Sequence, residues 1–237
     1  MKSLYEKNGL PFFSEEEISI REMVVSRTVM ALKQSLQRQN AAFSFHRCEA
    51  PCLMPRDLVN PNYGDDDIFV THDGLVLRPE TTKGSYLYAL ELLNSHNDIK
   101  VRPPLVVWQH GRSFRREQDQ VLRNMRLKEF YQLEFQIIYA ESTKNDYAPS
   151  TIDGVRSVLM EFVGPCRIED SDRLPSYAEW TKDVICEQNS MEVCSISSRK
   201  DLEGFKVLEV AIGTDRMVYN HRLHHGVEIL HGTTALS

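Results

Sequence analysis

The most informative stretch of the sequence is Glu209-Val210-Ala211-Ile212-Gly213-Thr214-Asp215-Arg216. Residues 205–211 have the pattern of a strand, and Gly213 then leads into a helix that passes through Met217. Gly213 permits close approach of the backbone, while Arg216 at the helix start adds charge to the positive end of the helix dipole. The stretch therefore predicts an anion site, although a simple turn glycine and an exposed helix arginine would give the same pattern.

A second candidate for anion binding lies upstream, in Phe114-Arg115-Arg116-Glu117. Arg115 and Glu117 are two residues apart, so on a strand they share one face and could hold a phosphate and an amino group side by side. Phe130 would offer a stacking surface to adenine, worth roughly 1–3 kcal/mol. Residues 112–128 hold six basic side chains, which are Arg112, Arg115, Arg116, Arg123, Arg126 and Lys128. This basic segment predicts a polyphosphate site, and a solvated basic face is the alternative.

The hydrophobic pattern around these stretches switches repeatedly between strand and helix. A capping box at Ser14 and Glu17 predicts a helix over 14–40, and Asp73-Gly74 predicts a hairpin between strands at 68–72 and 75–78. The other predicted elements are a strand near Phe43 that stops at Pro51, helices at 82–93 and from a cap at Ser150 or Asp153, and strands at 105–108, 133–139 and 192–198. Because hairpins outnumber strand-helix-strand crossovers, we expect an α+β fold with an antiparallel β-sheet flanked by helices.

Composition narrows the class of protein. The 237 residues are 41% hydrophobic and 26% charged, which fits one compact domain over 1–237. The net charge of −6 argues against broad non-specific binding of nucleic acid. The apolar runs are too short to span a bilayer and residues 1–11 lack an export signal, so we expect a cytoplasmic protein without membrane contact. Five cysteines without a CxxC pair favour reduced thiols, and a metal held by Cys48 and Cys52 is the minor alternative.

The stretches taken together resemble class II aminoacyl-tRNA synthetases. Residues 114–117 with Phe130 are similar to motif 2 of that family, and residues 209–216 are similar to its motif 3. The long first helix and the strand that stops at Pro51 resemble motif 1, which builds the dimer interface of the family. Glycyl-tRNA synthetases are the most similar members, through residues 77–84, through Lys128-Glu129-Phe130 with Glu134, and through Glu192, Arg199 and Asp201. The resemblance spans roughly residues 15–225.

The resemblance implies an ATP site and a reaction that joins an amino acid to AMP. Arg115 would contact the α-phosphate and stabilise the charge that develops there, and Arg216 would hold the γ-phosphate. Phe130 would stack on adenine, Glu117 would lie near the adenine amino group, and Arg126 would belong to the same ATP site. Magnesium would bridge the phosphates, with Glu192 and Glu209 as its nearest carboxylates.

The resemblance also implies an acidic amino acid pocket. Glu80, Glu134 and Glu209 would surround the ammonium group, and Arg199 would hold the carboxylate. A rigid polar lining suits glycine, which offers no side chain, because a pliable apolar pocket rejects an added methyl only weakly. Three positions depart from the glycyl pattern, since Ala211 replaces a serine, Lys83 a glutamine and Ser198 an aspartate. We therefore expect glycine or another small amino acid as substrate.

The expected partners follow from the same resemblance. A homodimer is implied by motif 1, and tRNA would be the acceptor of the aminoacyl group. The 237 residues leave no room for the anticodon-binding domain of glycyl-tRNA synthetases, so contact is expected through the acceptor end of tRNA. Two alternatives stay open: an adenylating paralogue that loads another acceptor, and a binding module without catalysis.

Overall fold

A seven-stranded sheet organises the computed structural model, which describes residues 8–39, 42–94, 101–116 and 125–226. Its strands in chain order are β1 (Ser44–Arg47), β5 (Leu105–Phe114), β6 (Glu129–Ala140), β7 (Cys166–Asp170), β8 (Ala178–Cys186), β9 (Met191–Arg199) and β10 (Phe205–Gly213). Their order across the sheet is β1-β5-β6-β10-β9-β8-β7. Every neighbouring pair is antiparallel except β1 and β5, which run parallel. The expected α+β class is confirmed, with one parallel pair at the edge.

A small second sheet of three short strands lies between β1 and β5 along the chain. It consists of β2 (Leu53–Met54), β4 (Val76–Leu77) and β3 (Phe69–Val70), in that spatial order. β3 and β4 form the predicted hairpin, with Gly74 at a φ of +84° in the turn. The left-handed conformation explains why glycine stands at that position. Arg78, Pro79 and Glu80 follow directly after the second strand of this hairpin.

In the described part of the chain, four α-helices cover the two faces of the main sheet: α1 (Glu15–Gln37), α2 (Thr82–Asn94), α3 (Ala148–Val163) and α4 (Thr214–His224). Leu32 of α1, Leu159 of α3 and Met217 of α4 share one hydrophobic core with Phe135 and Val210 of the sheet. α2 packs on the opposite face, where its Ala89 meets Leu105, Val107, Ile138 and Val207. Side chains alternate across a strand, so neighbouring residues serve opposite faces of the sheet.

The predicted elements are mostly confirmed. The capping box is formed, since the Ser14 hydroxyl accepts from the Glu17 amide at 3.3 Å and the Glu17 carboxylate accepts from the Ser14 amide at 2.7 Å. β5 and β6 extend further than predicted, and Asn40 lies outside the described residues. The prediction of a cap at Ser150 or Asp153 was wrong, because α3 begins two residues earlier, with Pro149 in its first turn.

Two further expectations concern cysteines and membranes. All five cysteines are free thiols. Within the described ranges, no group of three or more histidine, cysteine, aspartate or glutamate side chains is arranged to hold a metal ion. Among the helices described, none combines the length and the apolar character that crossing a bilayer requires.

Candidate active site

A cavity of about 390 Å³ opens on the polar face of the main sheet, beside α2 and the start of α4. Eight of the sequence-predicted site residues line this cavity, and they are Glu80, Arg115, Arg126, Phe130, Glu192, Glu209, Ala211 and Arg216. Glu134 and Arg199 are buried and do not line it. Glu117 lies outside the described residues, as does Arg123. The structure thus brings residues from distant parts of the chain to one place.

Arg115 follows the end of β5 and is held by its neighbours on several sides. Its backbone amide donates to the Lys128 carbonyl at 3.0 Å, which closes the base of the loop between β5 and β6. Its Nε donates to the Pro79 carbonyl at 2.9 Å. The guanidinium carbon lies 5.2 Å from the ring centre of Tyr63 and 5.0 Å from that of Phe130. These contacts direct a permanently charged group toward the cavity.

Arg216 is the third residue of α4 and lies in its first turn, after Thr214 and Asp215. Its Nη1 donates to the Glu192 carbonyl at 2.9 Å and lies 3.6 Å from the Glu192 carboxylate. Asp215 anchors the helix start, because it accepts from the Tyr131 amide at 2.8 Å and pairs with Arg21 of α1 at 3.1 Å. Burial raises the pKa of Asp215 to about 6, and these two partners limit the rise. The helix start is therefore tied to both β6 and α1.

Glu209 is the centre of a buried charged network. Its Oε2 accepts from Nη1 of Arg199 at 2.6 Å and from Gln136 at 3.3 Å, and its Oε1 accepts from the Tyr177 hydroxyl at 2.9 Å. The other nitrogens of Arg199 donate to both carboxylate oxygens of Asp201, at 3.0 and 2.6 Å. Each nitrogen of the Arg199 guanidinium thus donates one hydrogen bond within the protein. That Arg199 holds a substrate carboxylate stays a prediction, and the structure places Arg199 next to Glu209 but outside the cavity lining.

Glu80 forms the other acidic corner of the cavity. Its carboxylate accepts from the Tyr63 hydroxyl at 2.9 Å and from Asn60 at 3.5 Å. Burial raises the pKa of Glu80, and repulsion by Glu209 adds to the rise, while Arg115 opposes it. Ala211 lies on the cavity surface, whereas the other two departures from the glycyl pattern, Lys83 and Ser198, do not line the cavity.

Glu134 lies beneath the cavity floor, opposite Ala211 in the β6–β10 register. It is completely buried, and its Oε1 accepts from Gln136 at 3.2 Å. Burial raises the pKa of Glu134 well above its ordinary value, and repulsion by Glu209 and Glu80 adds to the rise. Within the described part of the chain, Oε2 of Glu134, Oε1 of Gln136 and the Thr81 hydroxyl oxygen have no hydrogen-bond partner. None of these three residues lines the cavity, so a cationic hydrogen-bond donor would meet two carboxylates that do line it, Glu80 and Glu209.

Comparison with solved structures identifies the fold. The chain is similar to seryl-tRNA synthetase from Pyrococcus horikoshii complexed with ATP, with a TM-score of 0.69 and 16% identity over 94% of this chain and 54% of that one. It is also similar to Giardia lamblia prolyl-tRNA synthetase in complex with prolyl-adenylate, with a TM-score of 0.62 and 13% identity over 85% of this chain and 45% of that one. A third similar structure is pyrrolysyl-tRNA synthetase from Desulfitobacterium hafniense, with a TM-score of 0.57 and 16% identity over 85% of this chain and 70% of that one. The chain has a synthetase-like fold.

The extent of this likeness is limited. The chain spans about half the length of the prolyl and seryl enzymes. No protein-family model and no curated protein sequence matches it. The identities of 13–16% establish the architecture, and the chemistry has to be argued from the residues of this chain.

The carboxylates of the cavity differ in their fitness for Mg²⁺. Both oxygens of Glu209 are already engaged by Arg199, Gln136 and Tyr177, so it offers a poor ligand. Glu192 is half exposed and lines the cavity, and Asp183 lines it from β8. Burial raises the pKa of Asp183, and Glu192 contributes to the rise by charge repulsion. Mg²⁺ needs few protein carboxylates when substrate phosphates complete its shell, so Glu192 and Asp183 fit the ion.

Sequence reasoning missed Tyr177 and Asp183, which line the cavity, and Tyr63, which contacts Glu80 beside it. Tyr63 and Tyr177 come from connecting segments, and their hydroxyls donate to the two acidic corners. Asp183 lies on β8, a strand that was not predicted. The pairing of Arg199 with Asp201 joins residues only two apart in the chain, because β9 ends at Arg199 and Asp201 follows in the connection to β10.

Proposed function

We propose that the protein activates an amino acid with ATP, forming an aminoacyl-adenylate and pyrophosphate. The observation that carries the proposal is that groups of both charges line one cavity. The arginines Arg115 and Arg216 supply positive charge, and the carboxylates Glu80 and Glu209 supply the negative charge of the part that we call the acidic half. A polyphosphate needs the first and an ammonium group needs the second. An activating enzyme must hold ATP and the amino acid side by side, so that the carboxylate of the amino acid can reach the α-phosphorus.

In the proposed reaction a carboxylate oxygen of the amino acid attacks the α-phosphorus of ATP. The bond from that phosphorus to the oxygen bridging to the β-phosphate breaks, and pyrophosphate leaves. Arg115 stabilises the charge that builds on the α-phosphate, and Arg216 holds the γ-phosphate. Phe130 provides the stacking surface for adenine, with Arg126 and Glu117 completing the nucleotide site. No covalent intermediate with the protein is required.

We assign Mg²⁺ to Glu192 and Asp183, in place of the expected pair Glu192 and Glu209. When bound, the ion would neutralise charge on the phosphate oxygens. The residues of the chain then have separate tasks: Arg216 is kept beside Glu192 by its bond to the backbone carbonyl, and Glu209 stays with Arg199. Glu209 is thereby reserved for the amino acid half of the cavity.

The acidic half is assigned to the α-ammonium group of a small amino acid, glycine or a close relative. Glu80 and Glu209 face the cavity, and Glu134 adds negative charge from below Ala211. An ammonium group carries three hydrogen-bond donors, which matches the excess of acceptor oxygens. We place Arg199 behind Glu209 as its positioning residue.

Transfer to tRNA and dimer formation are the remaining parts of the proposal. β1 is the outermost strand of the main sheet, with β5 on one side and no other described strand on its outer side. Partly buried apolar side chains flank this edge, namely Val25 and Val29 of α1, Phe45 of β1 and Trp108 of β5. An open edge beside an apolar surface is suited to pairing with a second copy. The acceptor end of tRNA would enter at the open side of the cavity.

The proposed activity can be tested by amino-acid-dependent exchange of pyrophosphate into ATP, using a panel of all amino acids. We expect exchange with one or a few small amino acids and a loss of about 10²–10³-fold for Arg115→Ala or Arg216→Ala. Arg167→Ala is a matched control, because Arg167 is half exposed on β7 and pairs only with Glu169 in the described structure. Absence of exchange with every amino acid would refute the proposal.

A further inference from the structure

Tyr177 lines the cavity beside Glu209 and has no role so far beyond a hydrogen bond. It ends the connection between β7 and β8, where its carbonyl accepts from the Lys200 amide at 3.0 Å. The next residue, Ala178, donates through its amide to Pro175 at 2.9 Å. The backbone on both sides of Tyr177 is therefore held by the fold, although the residue belongs to a loop.

The aromatic ring of Tyr177 is held as firmly as its backbone. The ring centre lies 3.9 Å from the guanidinium carbon of Arg199, and the ring of Tyr86 lies at the same distance. Two rings this close must take opposite faces of the planar group, so Arg199 is enclosed between them. The Tyr177 hydroxyl donates to Glu209 at 2.9 Å. The ring can neither swing nor retreat without breaking these contacts.

The sheet surface near Tyr177 is lined by small side chains. Thr181, Ser197 and Glu209 form one row across β8, β9 and β10, and Ser195 and Ala211 belong to the next row. All five line the cavity together with Tyr177. Thr181 and Ser197 bond to each other at 2.9 Å, so these two hydroxyls satisfy one another. The floor therefore leaves room for a ligand, and the bulk beside it comes from Tyr177.

We propose that Tyr177 sets the upper size limit of the amino acid side chain accepted by this cavity, restricting it to glycine, alanine or serine. The inference rests on the proposed function and extends it to a specificity residue. An amino acid whose ammonium group meets Glu209 places its Cβ next to the ring that bonds to the same carboxylate. A branched side chain such as that of valine or threonine then meets an immobile aromatic wall.

The rigidity of this wall gives it selectivity. A pliable apolar pocket discriminates one methyl group by only about 10- to 200-fold, because its walls can move. Tyr177 is backed by Arg199, which Asp201 holds with two bonds and Tyr86 covers on its far face. Moving the ring would therefore disturb three further groups.

The test is the substrate profile of Tyr177 variants in pyrophosphate exchange with glycine, alanine, serine, threonine and valine. For Tyr177→Ala we expect kcat/KM for threonine or valine to rise relative to glycine by about tenfold or more. Tyr177→Leu retains an apolar side chain against Arg199 and should shift the profile in the same direction, which covers a loss of folding by the alanine variant. Tyr177→Phe keeps the wall and should lower all activities without changing their order.

Leu174→Ala provides the matched control, since Leu174 lies in the same loop, is exposed and does not line the cavity. Its profile should equal that of the unaltered protein. An unchanged order of substrates in both Tyr177→Ala and Tyr177→Leu would overturn the inference while leaving the proposed activity intact. A preference of the unaltered protein for valine or a larger amino acid would overturn it as well. Absence of exchange with any amino acid would overturn the proposed function and this inference together.

Discussion

Arg199 on β9 and Glu209 on β10 form a buried ion pair of 2.6 Å. In this pair Glu209 is the residue assigned to contact a ligand, and Arg199 is the residue that positions Glu209. Both side chains are more than 90% buried. Arg199 does not line the cavity, whereas Glu209 reaches the cavity surface. Asp201 holds Arg199 from behind, so the order from interior to ligand is Asp201, Arg199, Glu209.

This order predicts a large stability loss for Arg199→Leu. Removing one partner of a buried pair leaves the other charge uncompensated, which costs about 3–5 kcal/mol in the free energy of unfolding. Urea denaturation measures the change. Arg167→Leu is the control, because its pair with Glu169 has the same 2.6 Å separation but is exposed, and such pairs contribute about 0–1 kcal/mol. Equal losses in the two variants would contradict the assigned role of burial.

Glu134 predicts a pH-dependent stability difference. Its pKa is raised in the folded protein by burial and by Glu209 and Glu80. Folding therefore favours the protonated form, so its stabilising contribution is complete below the unfolded pKa and is lost as pH rises through the folded pKa. Glu134→Gln does not titrate and should become progressively more stable than the unaltered protein as pH rises from about 5 to about 8. Urea unfolding across that range measures the trend, with exposed Glu187→Gln as a control for net charge. A constant difference would refute the prediction.

The fold was accessible from the sequence because its signals are local. The capping box at Ser14, the Asp73-Gly74 turn before β4 and Gly213 at the end of β10 each act within a few residues. β8 was missed for a physical reason. Its pairing with β9 shifts register between Ala178 and Trp180 and again between Val184 and Ile185, which disrupts the strict alternation that identifies a strand.

Only part of the site could be predicted from the sequence, because some of its residues lie outside any local pattern. Arg115, Glu209 and Arg216 lie in contiguous stretches with recognisable spacing. Tyr63 and Tyr177 lie in connections without such a pattern, and the fold alone brings them to Glu80 and Glu209. Sequence spacing also identified Arg199 as a site residue but could not show that its nitrogens are all bonded to other side chains.

Gly111 is a second position at which we expect a substitution to lower the free energy of unfolding, because it packs against Arg78. The Arg78 side chain is buried and donates to the carbonyls of Ala50, Pro51 and Arg112. A Cβ added at Gly111 would overlap the Arg78 guanidinium. Gly111→Ala should therefore cost about 1–3 kcal/mol of unfolding free energy by overpacking.

The same substitution should affect the cavity, because the chain passes from Arg78 directly to Pro79, whose carbonyl holds Arg115. We expect a weaker stabilisation of the protein by ATP in thermal denaturation. Gly64→Ala is the control, since its added Cβ would meet only ordinary van der Waals contact. A Gly111→Ala variant with unaltered stability would show that Arg78 can move at no cost.

The raised pKa of Glu134 also predicts that amino acid binding releases protons. An ammonium group in the acidic half of the cavity favours the ionised form of every nearby carboxylate, so it lowers a pKa that burial has raised. Below that raised pKa, binding must expel the proton, and affinity increases as pH rises. Titration calorimetry of the small amino acid that supports exchange, in buffers of different ionisation enthalpy near neutral pH, measures the number released, about one at most. Glu134→Gln should abolish most of the release and bind more weakly. Undiminished release by that variant would assign the proton to Glu80, whose pKa is also raised, and a net uptake of protons would contradict an ammonium group at this position.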